Sequence, residues 1–533
     1  MRRRWSPPRG SSKSSHNVEW TRMNVEEQQQ VVVIGSGFGG LSAAVRLRAM
    51  GYPVVVLEAR DQPGGRAGVF EVDGYTFDAG PTVITAPYLF EELFEMVGRQ
   101  MSDYVEMVPV DPFYRVTFPD GSEFDYVGDE DRLLAQIEAF NPRDVEGYKK
   151  LAAHSEKIFK IGYEELADEP FDTLMDMLRI VPTMIRLGNH RTVYSMVAKY
   201  IKDERLRQVF TFQPLLVGGN PFNVTSIYLL IHWLERKWGV HFAKGGTTAI
   251  VSGLVELLEE LGVEVRLSSP VKEIEVGDGG AEAVVTESGE RIPCRFVVSN
   301  ADPSFTYKHL IDERHRSKHT DRKVDRVKQS MGLFVGYFGT NRKYPEVKHH
   351  TIVLGPRYKE LLKDIFDRKI LAEDFSLYLH RPTETDPSLA PEGHDGFYVL
   401  SPVPNNESGI NWEETGEEYF ERILEYLEER HMPGLREAMT VKFWKTPDYF
   451  EEELRSVAGA GFGPEPRLSQ SAYFRYHNRS EDVEGLYFVG AGVHPGAGLP
   501  GVVTSAKVLE KLVPQPAAGA KVEIPAVKRK VSA

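Results

Sequence analysis

Residues 31–66 read VVVIGSGFGGLSAAVRLRAMGYPVVVLEARDQPGGR, and no other stretch restricts the fold as much. Val31 to Ile34 is a short apolar run, the pattern of a parallel strand buried on both faces. Gly35, Gly37 and Gly40 follow at once, and a helical run then carries Ser42, Ala43 and Ala44 where it must lie close to the sheet. A second apolar strand, Val54 to Leu57, ends on Glu58. In such a βαβ unit Gly35 permits the tight turn, Gly37 lets the backbone approach a pyrophosphate and Gly40 lets helix and strand pack closely. The helix N-terminus presents unpaired N–H groups and a positive dipole end to the phosphates.

Glu58 is placed to accept hydrogen bonds from a ribose hydroxyl, and its charge argues against a 2′-phosphate. Gly65 and Arg66 follow just past this acid. An Arg after a second glycine pair is a further pyrophosphate contact typical of large flavoproteins, so the expected cofactor is FAD.

A chain of 533 residues is too long for one core, and two or three domains are expected. The formal net charge of −14 argues against a nucleic-acid partner. A single cysteine, Cys294, excludes an internal disulfide and a Cys-rich metal site, and fits a reducing, cytoplasmic compartment. No apolar run is long enough to predict a transmembrane helix, which leaves attachment to one membrane face open. Residues 1–30 are basic and serine-bearing without an apolar core, and are expected to form a disordered extension. The segment from Pro514, with Lys528-Arg529-Lys530, is expected to be a mobile tail.

Taken in order, Tyr75 to Ile84 reads as a strand breaking into a turn at Gly80-Pro81-Thr82, where a two-domain flavoprotein passes the isoalloxazine ring. Residues 104–127 read as strands joined at Pro119-Asp120-Gly121, and 140–239 as mainly helical after the Asn141-Pro142 start signal. Within it, 174–201 mixes Leu, Met, Ile and Val with Arg179, Arg186, Arg191 and Lys199. This suits either a helix pair in a lipid interface or a helical subdomain with solvated Arg. Residues 210–242 are aromatic enough to line an apolar pocket or fill a core. From Val240 the βαβ order returns through 263–267, 271–276 and 296–299, with Val271 where such folds contact adenine. Strands at 331–338, 375–380 and 397–403 and a helix near 417–430 predict an antiparallel-leaning second domain. Finally 486–503 runs from a buried strand through Gly490 and Gly492 to a helix starting near Gly501 and Val502, aimed at the flavin. His494 in this loop is open to a catalytic or a hydrogen-bonding reading.

The fold class is therefore α/β. Residues 31–103, 240–303 and 481–513 form a discontinuous Rossmann-like FAD domain of amine-oxidase or glutathione-reductase type. An inserted sheet-containing substrate domain covers 104–139 and 304–480, 140–239 is a helical, membrane-associating subdomain, and 514–533 is the tail.

Nearly the whole chain resembles the bacterial-type phytoene desaturases, most closely their lycopene-forming branch. The likeness rests on GPTVIT at 80–85, FNPRDVEGY at 140–148, LLVGGNPF at 215–222 and SIYLLIH at 226–232. GPRYKEL at 355–361, AEDFSLYLH at 372–380, LAPEG at 389–393, MPGLR at 432–436 and VGAGVHPGAGLPGV at 489–502 add to it. The resemblance implies stepwise FAD-dependent removal of hydrogens from phytoene to give lycopene in carotenoid biosynthesis. It also implies a peripheral position on a membrane surface, with a quinone or oxygen as electron acceptor; a homo-oligomer is compatible with it. Such chemistry needs no Ser-His-Asp or metal constellation, and none of convincing spacing is visible. The unusual polarity of Arg143-Asp144 within a family-matching motif marks Asp144 as the candidate proton acceptor. Arg143 would be its electrostatic partner or a cofactor contact.

Two rivals share the scaffold. An amine oxidase should place an aromatic cage near the C-terminal motif, but 489–505 has no Phe, Tyr or Trp. A 3,4-desaturase would act on a modified carotenoid by the same chemistry. A non-catalytic escort protein holding isoprenoid groups would not need the complete glycine set, Glu58 and Arg66.

Overall fold

The computed structural model describes residues 30–516, so the expected extension over 1–29 and most of the expected tail lie outside the described residues. The Tyr52 hydroxyl donates to the Pro514 carbonyl, and Arg295 Nη2 donates to Gln515 O at 3.3 Å, so this segment is held on the fold.

Val31–Ile34 lies at the centre of a five-stranded, all-parallel sheet. The order is Leu486–Phe488, Phe296–Ser299, Val31–Ile34, Val54–Leu57, Glu264–Arg266. Successive side chains leave opposite faces. Val31 and Val33 enter a core with the helices Phe38–Met50, Thr247–Glu260 and Leu499–Leu512. Val32 and Ile34 enter another with Val271, Ile274 and Val284. The helix Phe38–Met50 is buried from Phe38 to Leu47, which is why its sequence lacks a polar face there. It stops at Gly51, whose φ of +106° lets Gly51 N and Tyr52 N reach back to Arg48 O and Leu47 O. The expected strand at 271–276 exists as Val271–Gly277, but in a separate antiparallel sheet with Gly280–Thr286 and Arg291–Pro293.

A second sheet has seven strands: Met439–Lys445, Gly332–Thr340, Asp395–Val403, Leu377–His380, His350–Val353, Tyr114–Thr117 and Glu123–Tyr126. All neighbours are antiparallel except His350–Val353 with Tyr114–Thr117. The period-two alternation divides its residues. Phe334 and Phe338 pack against Phe420, Ile423 and Leu424 of the helix Trp412–Arg430. Leu333, Val335 and Tyr337 face the other way, into a core shared with Phe210, Phe212 and Leu229 from the helical insert. That insert comprises Val145–Phe159, Leu174–Arg186, Val193–Tyr200, Glu204–Val209 and Leu230–Trp238, with shorter turns between. No helix among the described residues is long and apolar enough to cross a membrane.

Candidate active site

One continuous cavity runs from the glycine turn of the parallel sheet to the inner face of the seven-stranded sheet. Its polar end is built by the first βαβ unit. Gly35, at φ +91°, turns the chain out of the strand, and a Cβ on Gly40 would lie 2.0 Å from the Gly35 carbonyl oxygen. A Cβ on Gly37 would lie 2.8 Å from Asn300 Nδ2, so this glycine also admits the Asn300 side chain beside the turn. Glu58 is buried and fixed at both oxygens. Oε2 accepts from Ser36 N at 2.8 Å and Ser36 Oγ at 2.6 Å, and Oε1 accepts from Arg60 N at 3.0 Å.

Arg66 reaches the same wall. Its Nη2 donates to Ser456 Oγ at 2.7 Å, while Nε is buried with no hydrogen-bond partner among the described residues. Burial pulls its pKa down, against the opposing charge of Asp302. A buried guanidinium with an unused N–H beside bare glycine backbone is a site prepared for an anion.

The segment Gly80-Pro81-Thr82 crosses between the two sheets and is held from both sides. Thr247 Oγ1 donates to Pro81 O at 2.6 Å, and Asp78 Oδ1 accepts from Thr247 N at 2.8 Å. From the second sheet, Tyr398 Oη donates to Gly80 O at 3.2 Å, and Thr82 Oγ1 lies 2.8 Å from both Tyr378 Oη and Tyr398 Oη. Beyond Thr82 the walls turn apolar, with Ile231, Leu333, Val335, Ile352, Leu354 and Leu400.

The sequence matches a family model described as flavin containing amine oxidoreductase over residues 38–508. The chain belongs to this family. A Pantoea ananas protein named phytoene desaturase (lycopene-forming) is 50% identical over 482 residues, 90% of this chain and 98% of that protein. A Rhodobacter capsulatus protein named phytoene desaturase (neurosporene-forming) is 45% identical over 92% of this chain and 95% of its own length. Among solved structures, an oxidoreductase from Methanosarcina mazei shares the fold at TM-score 0.63 and 16% identity, covering 90% of this chain and 100% of that one.

For this flavin oxidoreductase the cofactor is FAD, and the polar end of the cavity suits it. The unused Arg66 N–H and the glycine backbone meet the demands of a pyrophosphate, and the anchored Glu58 those of a ribose diol. Of the residues expected to touch the cofactor, Gly35, Gly37, Glu58, Gly65 and Arg66 line the cavity. So do Gly80, Pro81, Thr82 and Val271, and Gly501 and Val502 at the start of Leu499–Leu512. Gly40, Gly490 and Gly492 do not line it. Gly40 packs the helix on the strand. A Cβ on Gly490 would sit 2.6 Å from Asn300 Oδ1, and one on Gly492 would sit 2.2 Å from Pro303 Cδ. These last two make room for Asn300 and Pro303.

Asp144 and Arg143 are not brought to the site. Asp144 is fully buried and absent from the cavity wall. Its carboxylate accepts from Lys202 N and Asp203 N at 2.7 Å each and from Asn141 Nδ2 at 2.9 Å. It ties the start of Val145–Phe159 to the segment after Val193–Tyr200, and its oxygens are engaged by two backbone N–H groups and the Asn141 amide. Arg143 is exposed. The proton-acceptor expectation for Asp144 is therefore corrected to an architectural one. His494 lines the cavity, and its Nε2 pairs with Leu166 O at 3.2 Å while burial pulls its pKa down to about 4. It is a loop hydrogen-bonder.

Besides Glu58, Asp302 and Glu453, the acids that line the cavity include Glu235, in Leu230–Trp238. It is fully buried; Oε1 accepts from Tyr114 Oη at 2.8 Å, and Oε2 has no hydrogen-bond partner among the described residues. Burial pushes its pKa up to about 8, against the pull of Tyr114, Gln213 and Tyr126. Sequence reading missed it because ERKW at 235–238 resembles a solvated helix end. The available signal was its spacing: four residues after Ile231, it falls on the stripe that faces the cavity.

Proposed function

We propose that this chain is a phytoene desaturase that converts phytoene stepwise to lycopene. The carrying observation is the cavity, in which a flavin cradle opens directly into an apolar chamber. A substrate without polar groups needs such a chamber, because it can be held only by shape and by exclusion of water. Identity to the lycopene-forming relative across almost its full length supports the same substrate and end product.

FAD supplies a hydride acceptor for an allylic C–H beside the conjugated triene. The protein's own task is to position the polyene and to take the proton that leaves the adjacent carbon. Glu235 is the acceptor: it is a cavity-lining carboxylate whose Oε2 has no hydrogen-bond partner among the described residues. Tyr114 Oη holds the carboxylate in place from the other oxygen. For each new double bond Glu235 would take the proton from the adjacent carbon, while bound FAD would supply the two-electron acceptor for the hydride and a quinone or oxygen would be the terminal oxidant.

The substrate enters from a membrane surface. In Leu174–Arg186 one arc, Met177, Ile180 and Met184, lines the cavity. The adjoining arc leaves Leu174, Met175, Leu178 and Ile185 more than half exposed, and Leu468 and Phe474 are also half exposed. Asp176, Arg179 and Arg186 occupy the remaining polar arc. A helix apolar towards both the cavity and the outside suits a lipid interface at a tunnel mouth.

The test is anaerobic mixing of FAD-loaded protein with phytoene in liposomes. Bleaching of the flavin band that requires phytoene supports the reading; an unchanged oxidised spectrum contradicts it.

A further inference from the structure

Three histidines meet inside the seven-stranded sheet, outside the cavity wall. His349 and His350 stand at the start of one strand, and His380 ends the neighbouring one, directly opposite His350. All three are at most 3% exposed. One nitrogen from each lies within 4.8 Å of the others.

Their hydrogen bonding is one-sided. His349 Nδ1 pairs with Thr385 Oγ1 at 2.6 Å and His350 Nδ1 with Tyr378 Oη at 2.7 Å. The Nε2 atoms of both, and both ring nitrogens of His380, have no partner among the described residues. Packing alone does not account for this, since burying a polar group without a partner is unfavourable. In His349 and His350 one nitrogen is fixed by a hydrogen bond and the other is left free, the pattern of imidazole ligands around a metal, and His380 offers either of its nitrogens. Burial also keeps the rings in the neutral form that ligates: it pulls the His349 pKa down to about 3 and holds those of His350 and His380 well below the ordinary imidazole value. Nearby Arg381 is committed to Asp395, Nε to Oδ2 at 2.9 Å.

We propose that His349, His350 and His380 bind a zinc-class divalent transition-metal ion, with the fourth tetrahedral position left to a water or hydroxide. Metal–nitrogen bonds of about 2.0–2.1 Å require the rings to draw in by roughly an ångström from their present spacing. With Nε2 of His350 on the metal, its Nδ1–H donates to Tyr378 Oη. The Tyr378 hydroxyl is then free to donate to Thr82 Oγ1 on the cavity wall. The ion pins two strands and fixes the direction of a hydrogen-bond chain that ends beside the cofactor segment. No spacing rule in the sequence exposes the set, because His380 comes from a different strand.

The test uses the full FAD-loaded chain without a histidine tag, equilibrated with zinc chloride, desalted and assayed for metal by mass spectrometry. One zinc per chain is expected, with loss of that zinc in His349→Ala/His380→Ala and a lower thermal midpoint of the wild-type protein after chelation. No zinc above the buffer blank in wild type, or equal zinc in the double variant, overturns the site. Should the variant not fold, cobalt-loaded wild type decides: tetrahedral d–d bands to the red of the flavin support the site, and their absence overturns it.

Discussion

Tyr114 Oη donates a 2.8 Å hydrogen bond to one oxygen of Glu235, a buried residue that borders the apolar chamber, and the other oxygen has no hydrogen-bond partner among the described residues. This arrangement joins a strand of the second sheet to a helix of the insert and gives the chamber a positioned acid–base group. General acid–base groups of this kind contribute typically about 10²–10⁴-fold to a rate. Glu235→Gln is therefore expected to lower kcat by about a hundredfold or more, with FAD content unchanged, as read by single-turnover flavin reduction.

The pH dependence follows from the same group. A carboxyl with pKa about 8 is protonated at neutral pH and must ionise to accept a proton, so kcat should rise with pH and level above about 8. Glu235→Gln should flatten that limb. Stability runs the opposite way. Between the ordinary value of 4.5 and about 8 the folded state holds a proton that the unfolded chain has lost. This group therefore makes the fold less stable as pH rises across that window. Denaturant unfolding at several pH values should show a shallower fall in the glutamine variant.

Glu58→Gln should weaken FAD binding while leaving the fold intact. The substitution removes the charge that accepts from Ser36 and faces the ribose site. Hydrogen bonds to charged groups contribute about 1.5–3 kcal/mol, so the Kd for FAD should rise roughly tenfold to hundredfold, measured by flavin fluorescence on titration of apoprotein.

Asp144→Asn should act on stability and not on chemistry. It weakens the acceptor for Lys202 N and Asp203 N, so the thermal midpoint should fall. Turnover per FAD-loaded molecule should stay near wild type. A variant that keeps its midpoint and loses turnover would restore the catalytic reading of this residue.

Leu178→Glu/Ile185→Glu places two charges on the outward apolar arc without touching a cavity-lining residue. Burial of each such side chain contributes about 1.5–3 kcal/mol, so liposome co-sedimentation should drop by roughly tenfold or more. FAD content should be unchanged.

The nucleotide half was legible because its signals are contiguous: strand, glycines, helix and acid follow one another from Val31 to Glu58. The second sheet was read in part. Gly332–Thr340, Leu377–His380 and Asp395–Val403 are apolar enough to announce themselves, and 104–127 contains the expected strands. Met439–Lys445 is an edge strand with exposed Thr440 and Lys442, and His350–Val353 has four residues, so neither carries a clear periodic pattern. Asp144 misled because an acid in a distinctive motif looks chemical, whereas its partners are backbone groups about sixty residues on. Glu235 and Tyr114 stayed hidden for the converse reason. Their pairing across 121 residues is created by the fold, and nothing local distinguishes a buried glutamate from a solvated one.

Pigment analysis after purified protein, FAD and liposome-borne phytoene are incubated with a quinone reads the proposed reaction itself. Lycopene is expected to accumulate, with less-desaturated intermediates appearing first. Recovery of colourless phytoene alone from FAD-loaded protein would contradict the proposal.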